Sequence, residues 1–245
     1  MDALSSVVFA APCRVCGQVL THANSVPICA DCLASFARIT DPLCQRCGRP
    51  FTSSVAVQSA TPLCRLCRLD TYAFDWARSF AVYSDALFEA IILMKYEEVT
   101  ALGKWFASRL SEIADFSGAA PPDVIVPVPL HVERRRERGY NQAELIARPL
   151  GAHFGIGVDS SLLVRVTPRP PQLLLSRSQR WKSVRGAYAT PGGRRVDNLR
   201  ILLVDDVFTT GATLDSCSRV LKKAGAAAVL ALTVGRVVPA WLSPR

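Results

Sequence analysis

The sequence predicts an α/β fold, a parallel sheet flanked by helices, preceded by a small cysteine-rich module. Three observations carry this. First, the run Ile201-Leu-Leu-Val204 leads into Asp205 and Asp206, then into the turn Thr209-Thr210-Gly211-Ala212-Thr213, then into a helical pattern. A continuous apolar run is what a strand covered on both faces requires. Second, short apolar runs alternate with helical patterns after residue 80, the order that builds a parallel sheet with its ligand site at the strand C-termini. Third, eight of the nine cysteines fall in the first 67 residues as four CxxC pairs, Cys13/Cys16, Cys29/Cys32, Cys44/Cys47 and Cys64/Cys67.

Two thiolates at CxxC spacing grip one tetrahedral metal ion, and two such knuckles complete a four-cysteine zinc site. Eight ligands suit two structural zinc ions. Pairing in sequence order (13/16 with 29/32, 44/47 with 64/67) gives two successive ribbons; interleaved pairing gives a cross-braced module, and the spacing leaves both open. A disulfide framework is the lesser alternative, because Met1 to Pro12 has no basic residue before its apolar patch and makes a poor signal peptide. Residues 13–67 hold few large aliphatics, so metal binding is expected to supply their folding energy. We expect a zinc-bearing unit over 1–72 and an α/β unit over 73–245.

Along the second unit, Phe80 to Tyr83 reads as a short strand, and Ala86 to Tyr96 and Thr100 to Ile113 as helices with apolar residues three and four apart. Ser117 to Pro122 is a loop, Val124 to Val128 a buried strand, Arg138 to Phe154 a stretch that starts polar and becomes a helix, and Leu162 to Val166 another strand. Residues 167–198 lack clean periodicity and read as irregular. Leu199 to Val204 is the strand feeding the acids, Ala212 to Ala224 a helix, and Ala227 to Val234 the next strand. Cys217 reads as a packed core thiol.

The turn after the acids sits where a helix must start. Its threonines can cap that helix and Gly211 allows positive φ or close backbone approach. Exposed N–H groups at a helix start carry partial positive charge, so the turn is a phosphate cradle. Carboxylates are not drawn to phosphate. Asp205 and Asp206 therefore serve another part of the ligand, either sugar hydroxyls or a shared metal ion. Farther upstream, Pro127-Val128-Pro129-Leu130-His131 ends a strand, and Arg134, Arg135, Arg136 and Arg138 follow it. Such a loop suits an anion denser than one phosphate.

Val204 to Leu214 resembles the signature of the type I phosphoribosyltransferases, which bind 5-phosphoribosyl 1-pyrophosphate (PRPP). The resemblance implies that fold for the α/β unit, with Asp205 and Asp206 on the ribose 2′ and 3′ hydroxyls and Thr209, Thr210, Gly211, Ala212 and Thr213 on the 5′-phosphate. It places the pyrophosphate loop at Pro127, Val128 and Pro129, with Arg134, Arg138 and Arg180 beside the ligand and Mg2+ bound with PRPP. Residues 167–190 lie where that family carries a closing hood.

The ordered set of double CxxC ribbon, Lys95-Tyr96, Pro-Val-Pro-Leu, Arg-Gly-Tyr-Asn-Gln, Gln172 with Leu175-Ser176, Arg180, Gly186-Ala187-Tyr188 and the PRPP signature is similar to the ComF family, competence-associated phosphoribosyltransferase-like proteins of bacteria. Ser183 departs from it, standing where the family usually has Asn with a longer reach. Tyr140 and Tyr188 stand where it often has Phe. The resemblance implies either a phosphoribosyltransferase releasing pyrophosphate to an unnamed acceptor, or a non-catalytic PRPP- or nucleotide-sensing adaptor whose ribbons meet a DNA-uptake helicase or DNA.

The chain carries a net charge of +9, and residues 131–200 hold fourteen Lys or Arg against five acids. Residues 1–75 hold six against five, and eight thiolates with two Zn2+ would bring them to about −3. Single-stranded DNA is therefore expected on 131–200 rather than on the ribbons. No apolar run reaches membrane length, and a cytoplasmic protein without membrane insertion is expected.

Overall fold

The computed structural model describes residues 11–20, 25–51, 61–116, 120–167 and 177–239, without the side chains of 177, 178, 180 and 182. The described strands are β1 (Trp76–Val82), β2 (Val124–Pro127), β3 (Val164–Arg165), β4 (Tyr188–Ala189), β5 (Arg200–Phe208) and β6 (Ala228–Arg236). The described α-helices are α1 (Ala30–Ala34), α2 (Arg65–Arg68), α3 (Asp85–Tyr96), α4 (Ala101–Ile113), α5 (Val132–Arg138), α6 (Gln142–Phe154), α7 (Arg177–Val184) and α8 (Ala212–Lys223).

Four strands form one parallel sheet in the order β1-β6-β5-β2. Its inner strands are apolar on both faces, as a sheet covered twice must be. Ile201, Leu202, Leu203 and Val204 are all fully buried. One core gathers Leu202, Val204, Leu232 and Ile125 with Leu87, Ile91, Leu102, Phe106, Ile146 and Leu150 of α3, α4 and α6. The opposite core gathers Ile201, Leu203, Val229 and Phe208 with Leu214, Cys217 and Leu221 of α8. Cys217 is a packed core thiol, as its helical position suggested; burial pushes its pKa well up.

Several boundaries differ from the sequence reading. Strand β5 does not stop at Val204 but runs through both acids to Phe208, because β6 continues alongside it: Asp205 pairs with Thr233 and Phe208 with Arg236. β1 begins at Trp76, four residues before the expected start. The expected strand over Leu162 to Val166 shrinks to Val164–Arg165, paired antiparallel with β4 outside the main sheet, while Leu162 and Leu163 are buried in the core. The stretch Arg138 to Phe154, read as starting polar and becoming a helix, becomes one at Gln142; before it a separate helix, α5, covers Val132–Arg138, ended by Gly139 (φ 79°) in the left-handed region, and Asn141 caps α6. Within 167–198, α7 forms and is held on α8 by Ser216 Oγ donating to the Val184 carbonyl at 2.7 Å. Gln172 and Leu173 to Ser176 lie outside the described residues, as do 117–119 of the expected loop.

The cysteine module does not hang from the α/β unit. Cys13, Val26, Ile28 and Phe36 pack into the α3–α4–α6 core, whereas Cys44, Cys47, Cys64 and Cys67 pack into the α8 core. The two halves therefore straddle the sheet at β1. Between them, Ile39 N–H donates to Phe80 O at 3.0 Å and Val82 N–H to Ala37 O at 2.8 Å. This covers the exposed edge of β1, which would otherwise offer unpaired backbone groups.

Candidate functional site

The C-terminal ends of the four parallel strands form one edge of the sheet, carrying Val82, Arg236, Phe208 and Pro127. Both acids lie there. Asp205 is 9 % and Asp206 6 % exposed, so neither is a solvated surface carboxylate. Asp205 Oδ1 accepts from Asp206 N–H at 2.9 Å. Asp206 Oδ2 pairs with Lys95 Nζ of α3 at 2.8 Å. Burial alone would lower the Lys95 pKa; the Asp206 charge and hydrogen bond outweigh it and hold the ammonium above its ordinary value. The sequence reading named Lys95 only as part of a family pattern and gave it no role. Its position on the buried side of an amphipathic helix is a signal shared with any core lysine.

The turn beyond the acids has the expected form. Gly211 has φ 81°, and Thr210 Oγ1 accepts from Ala212 N–H at 3.3 Å at the start of α8. A side chain on Gly211 would force its surroundings to shift: a Cβ would lie 2.6 Å from Tyr72 Cε1 and 2.7 Å from Phe208 Cζ. Tyr72 Oη also donates to Thr210 O at 3.1 Å, so the turn rests on an aromatic shelf that follows the last cysteine knuckle. Thr209, Thr210 and Thr213 are half-buried; Gly211 and Ala212 are buried.

On the other side of β5, Pro127 ends β2. Val128 N–H donates to Val204 O at 2.9 Å and Val128 O accepts from Asn141 Nδ2 at 3.0 Å, so both polar backbone groups of Val128 are engaged within the fold. Pro129 is half-buried at the loop. Arg134, Arg135 and Arg136 are exposed on α5, a helix rather than the expected loop, because Val132 to Arg138 has one full run of helix formers before Gly139. Arg134 pairs with Glu137 at 3.4 Å. Arg138 lies 4.9 Å over the Tyr96 ring and donates to Gln142. A cavity of ≈ 140 Å3 joins Arg134 and Arg138 to Lys95, with Glu98 and Glu137 in its wall. Arg180 lies on α7, and its side chain is outside the described atoms. Ser183 is on the same helix and half-buried. The Tyr140 hydroxyl, absent from Phe, donates to Met94 O at 2.5 Å.

A larger cavity of ≈ 320 Å3 opens on the β6 side of the turn, bordered by Thr209, Thr210, Phe208, Arg236 and Arg49. Sequence reasoning gave Arg236 and Arg49 no role, and no local motif marks them. Arg236 is 4 % exposed, lies 3.9 Å over the Phe208 ring and donates through Nη1 to Cys47 O at 2.7 Å, with Nη2 3.6 Å from Cys47 Sγ.

The thiols group in sequence order, Cys13 with Cys16, Cys29 and Cys32, and Cys44 with Cys47, Cys64 and Cys67, with all ligand atoms of a group within 4.8 Å of one another. Cys16 Sγ to Cys29 Sγ is 3.7 Å, Cys13 Sγ to Cys32 Sγ 3.9 Å and Cys47 Sγ to Cys64 Sγ 3.6 Å. A tetrahedron with Zn–S bonds of about 2.3 Å has edges of about 3.8 Å, so both sites fit Zn2+. The second site is buried throughout; the first exposes Cys16. Gly17 and Gly48 follow their knuckles at φ 77° and 67°, the conformation that folds each knuckle back.

Fold and site together define a parallel α/β protein with a glycine turn opening a helix after two buried acids, stapled by a double zinc ribbon. Residues 4–68 match the model of the double zinc ribbon domain family. Competence protein ComFC of Bacillus subtilis is 30% identical over 220 residues, covering 85% of this chain and 84% of that protein. The DNA utilization protein YhgH of Salmonella typhimurium is 30% identical, covering 82% and 87%. Competence protein F of Haemophilus influenzae is 36% identical over 105 residues, covering 42% and 46%. The chain belongs to the ComF family. Among solved structures, the glutamine PRPP amidotransferase of B. subtilis aligns with a TM-score of 0.38 at 21% identity, over 55% of this chain and 26% of that one. The purine phosphoribosyltransferase of Pyrococcus horikoshii aligns at 0.31 and 18%, over 62% and 93%. These scores are too low to bear on function; the architecture rests on the strand order and register.

Proposed function

We propose that this chain binds PRPP at the C-terminal edge of its sheet and transfers the phosphoribosyl group to an acceptor, releasing pyrophosphate, in the service of DNA uptake or use, as the names of its relatives suggest. The observation that carries the reading is the adjacency at the end of β5: two nearly buried acids, then within a few residues a glycine turn opening an α-helix. Asp205 and Asp206 hold the ribose hydroxyls, and the 209–213 turn holds the 5′-phosphate. Pyrophosphate lies toward Pro127, Pro129, Arg134, Arg138 and Arg180, with Val128 giving shape rather than a hydrogen bond. Residues 1–72 and 73–245 remain the two sequence units, packed on shared cores.

Among the described residues the metal-binding groups are the two cysteine sites, and no carboxylate cage is present. Mg2+ would enter with the diphosphate ligand and would neutralise the leaving group there. The chain's own acids orient the ribose and favour the positive charge that develops at its C1.

Titration with PRPP, with and without Mg2+, tests the reading. Asp205→Asn with Asp206→Asn is expected to abolish binding; unchanged affinity means the ribose lies elsewhere. Turnover across bases, amines and ammonia separates transfer from a second reading, a PRPP-sensing adaptor with a helicase partner. No described helix is long and apolar enough to cross a membrane; we place the protein in the cytoplasm. Single-stranded DNA is assigned to residues 131–200, where Arg134, Arg135 and Arg136 are exposed.

A further inference from the structure

The order of the strands fixes the direction from which an acceptor reaches the sugar. Resting on the PRPP reading, the ribose lies above β5 and the pyrophosphate above the end of β2, its neighbour on one side. Displacement at C1 forms one bond opposite the bond that breaks. The acceptor therefore comes from the neighbour on the other side, the end of β6. There the chain places Arg236 and the cavity of ≈ 320 Å3, a volume at the lower end of small-molecule sites.

The walls of that cavity specify a ligand. Phe208 and Tyr72 offer aromatic surface, Thr209 and Thr210 come from the turn, and Arg49 and Arg236 supply positive charge; the zinc-site residues Cys47 and Cys64 also line it, Arg236 lying against Cys47, and no Asp or Glu does. Arg236 is fixed by the Phe208 ring and by Cys47, so its charge is set in place before any ligand arrives. Arg49 comes from the second ribbon, directly after Gly48, whose absent side chain lets the knuckle approach the Ala77 carbonyl; a Cβ there would lie 2.6 Å from that oxygen. The smaller cavity beside Lys95 differs, since Glu98 and Glu137 offset its cations.

We infer that this cavity is the acceptor pocket, that the second zinc ribbon is its outer wall, and that it takes a small planar ring bearing a carboxylate, with Arg49 selecting for the charge. A lone pair on a ring nitrogen forms the new bond to C1 and the C1–O bond to pyrophosphate breaks with its electron pair leaving on the pyrophosphate oxygen; an attacking nitrogen that carries an N–H loses that proton to water, and a pyridine-type nitrogen ends as the pyridinium with no proton lost. The zinc ribbon thereby becomes a specificity element of the transfer rather than a separate binding module.

The test uses the full zinc-loaded chain and three matched probe pairs that differ in charge: nicotinate and nicotinamide, benzoate and benzamide, orotate and uracil. Each is titrated calorimetrically, alone and with saturating PRPP and Mg2+. At least one acid is expected to bind at least ten-fold tighter than its neutral partner. Arg49→Gln is expected to remove that preference and Arg49→Lys to restore most of it, with two zinc ions retained and the same melting temperature. Equal binding of acid and neutral partner, no binding of any acid, or a preference that survives Arg49→Gln overturns the inference. If PRPP itself fails to bind, the reading of the sugar site falls, while the titrations without PRPP still decide whether the cavity takes carboxylates through Arg49.

Discussion

Replacing Gly211 by alanine puts one methyl group where the structure has no room. Two costs follow. The residue sits at φ 81°, where a side chain costs about 1–2 kcal/mol. The new Cβ would lie 2.6 Å from Tyr72 Cε1 and 2.7 Å from Phe208 Cζ, and overpacking of that kind costs about 1–3 kcal/mol. Neither ring has an easy escape: Tyr72 stacks on Phe74 at 4.8 Å between centroids, and Phe208 lies under Arg236. The sum, about 2–5 kcal/mol, falls below the stability of an ordinary domain, so the variant is expected to fold with a shifted turn. Gly155→Ala is the control, because Gly155 has φ 67° and nothing within 4 Å of its would-be Cβ. Urea denaturation is expected to show Gly211→Ala less stable than Gly155→Ala by the overpacking share, about 1–3 kcal/mol. PRPP titration is expected to show at least a ten-fold loss for Gly211→Ala and none for the control. Equal stability of the two variants, or unaltered PRPP affinity in Gly211→Ala, would refute the claim that the aromatic shelf sets the turn.

The two zinc sites are expected to behave unequally: Cys16→Ser and Cys47→Ser should each leave about one zinc per chain by elemental analysis, but only Cys47→Ser should weaken PRPP binding, since Cys47 holds Arg236 behind the turn. Lys95→Met strands a buried carboxylate and is expected to cost about 3–5 kcal/mol in denaturant titration, with Asp206→Asn in the same chain recovering most of it. Because the Lys95 pKa is raised in the folded state, the pair's contribution should be complete below the ordinary lysine pKa and be lost progressively as pH climbs from there through the raised value; a loss near pH 8 in the wild type, absent from the double variant, would contradict that sign. DNA affinity, if it resides on the arginines of 131–200, should fall steeply between low and physiological salt and survive deletion of charge at Arg14 and Arg65 in the ribbons.

What the sequence alone determined is what contiguous residues encode. The CxxC spacing fixes tetrahedral metal sites, because four thiolates on two tight knuckles have one compact arrangement around zinc, although their pairing was left open. The apolar run into Asp205 and Asp206, followed by Thr209 to Thr213, fixes a strand, a turn and a helix start by local stereochemistry. The tertiary structure decided the rest, since it depends on which distant segments bury surface together. The ribbons straddle the sheet because their apolar residues are too few for a core of their own and join one on each face. Lys95 meets Asp206, Tyr72 supports the turn, and Arg236 reaches Cys47 across 189 positions of chain. The acids are held by partners from other segments, and the cavity beside the turn is walled by a module that the sequence had set apart. Such contacts leave no local periodicity, so no motif announces them; packing alone brings them together.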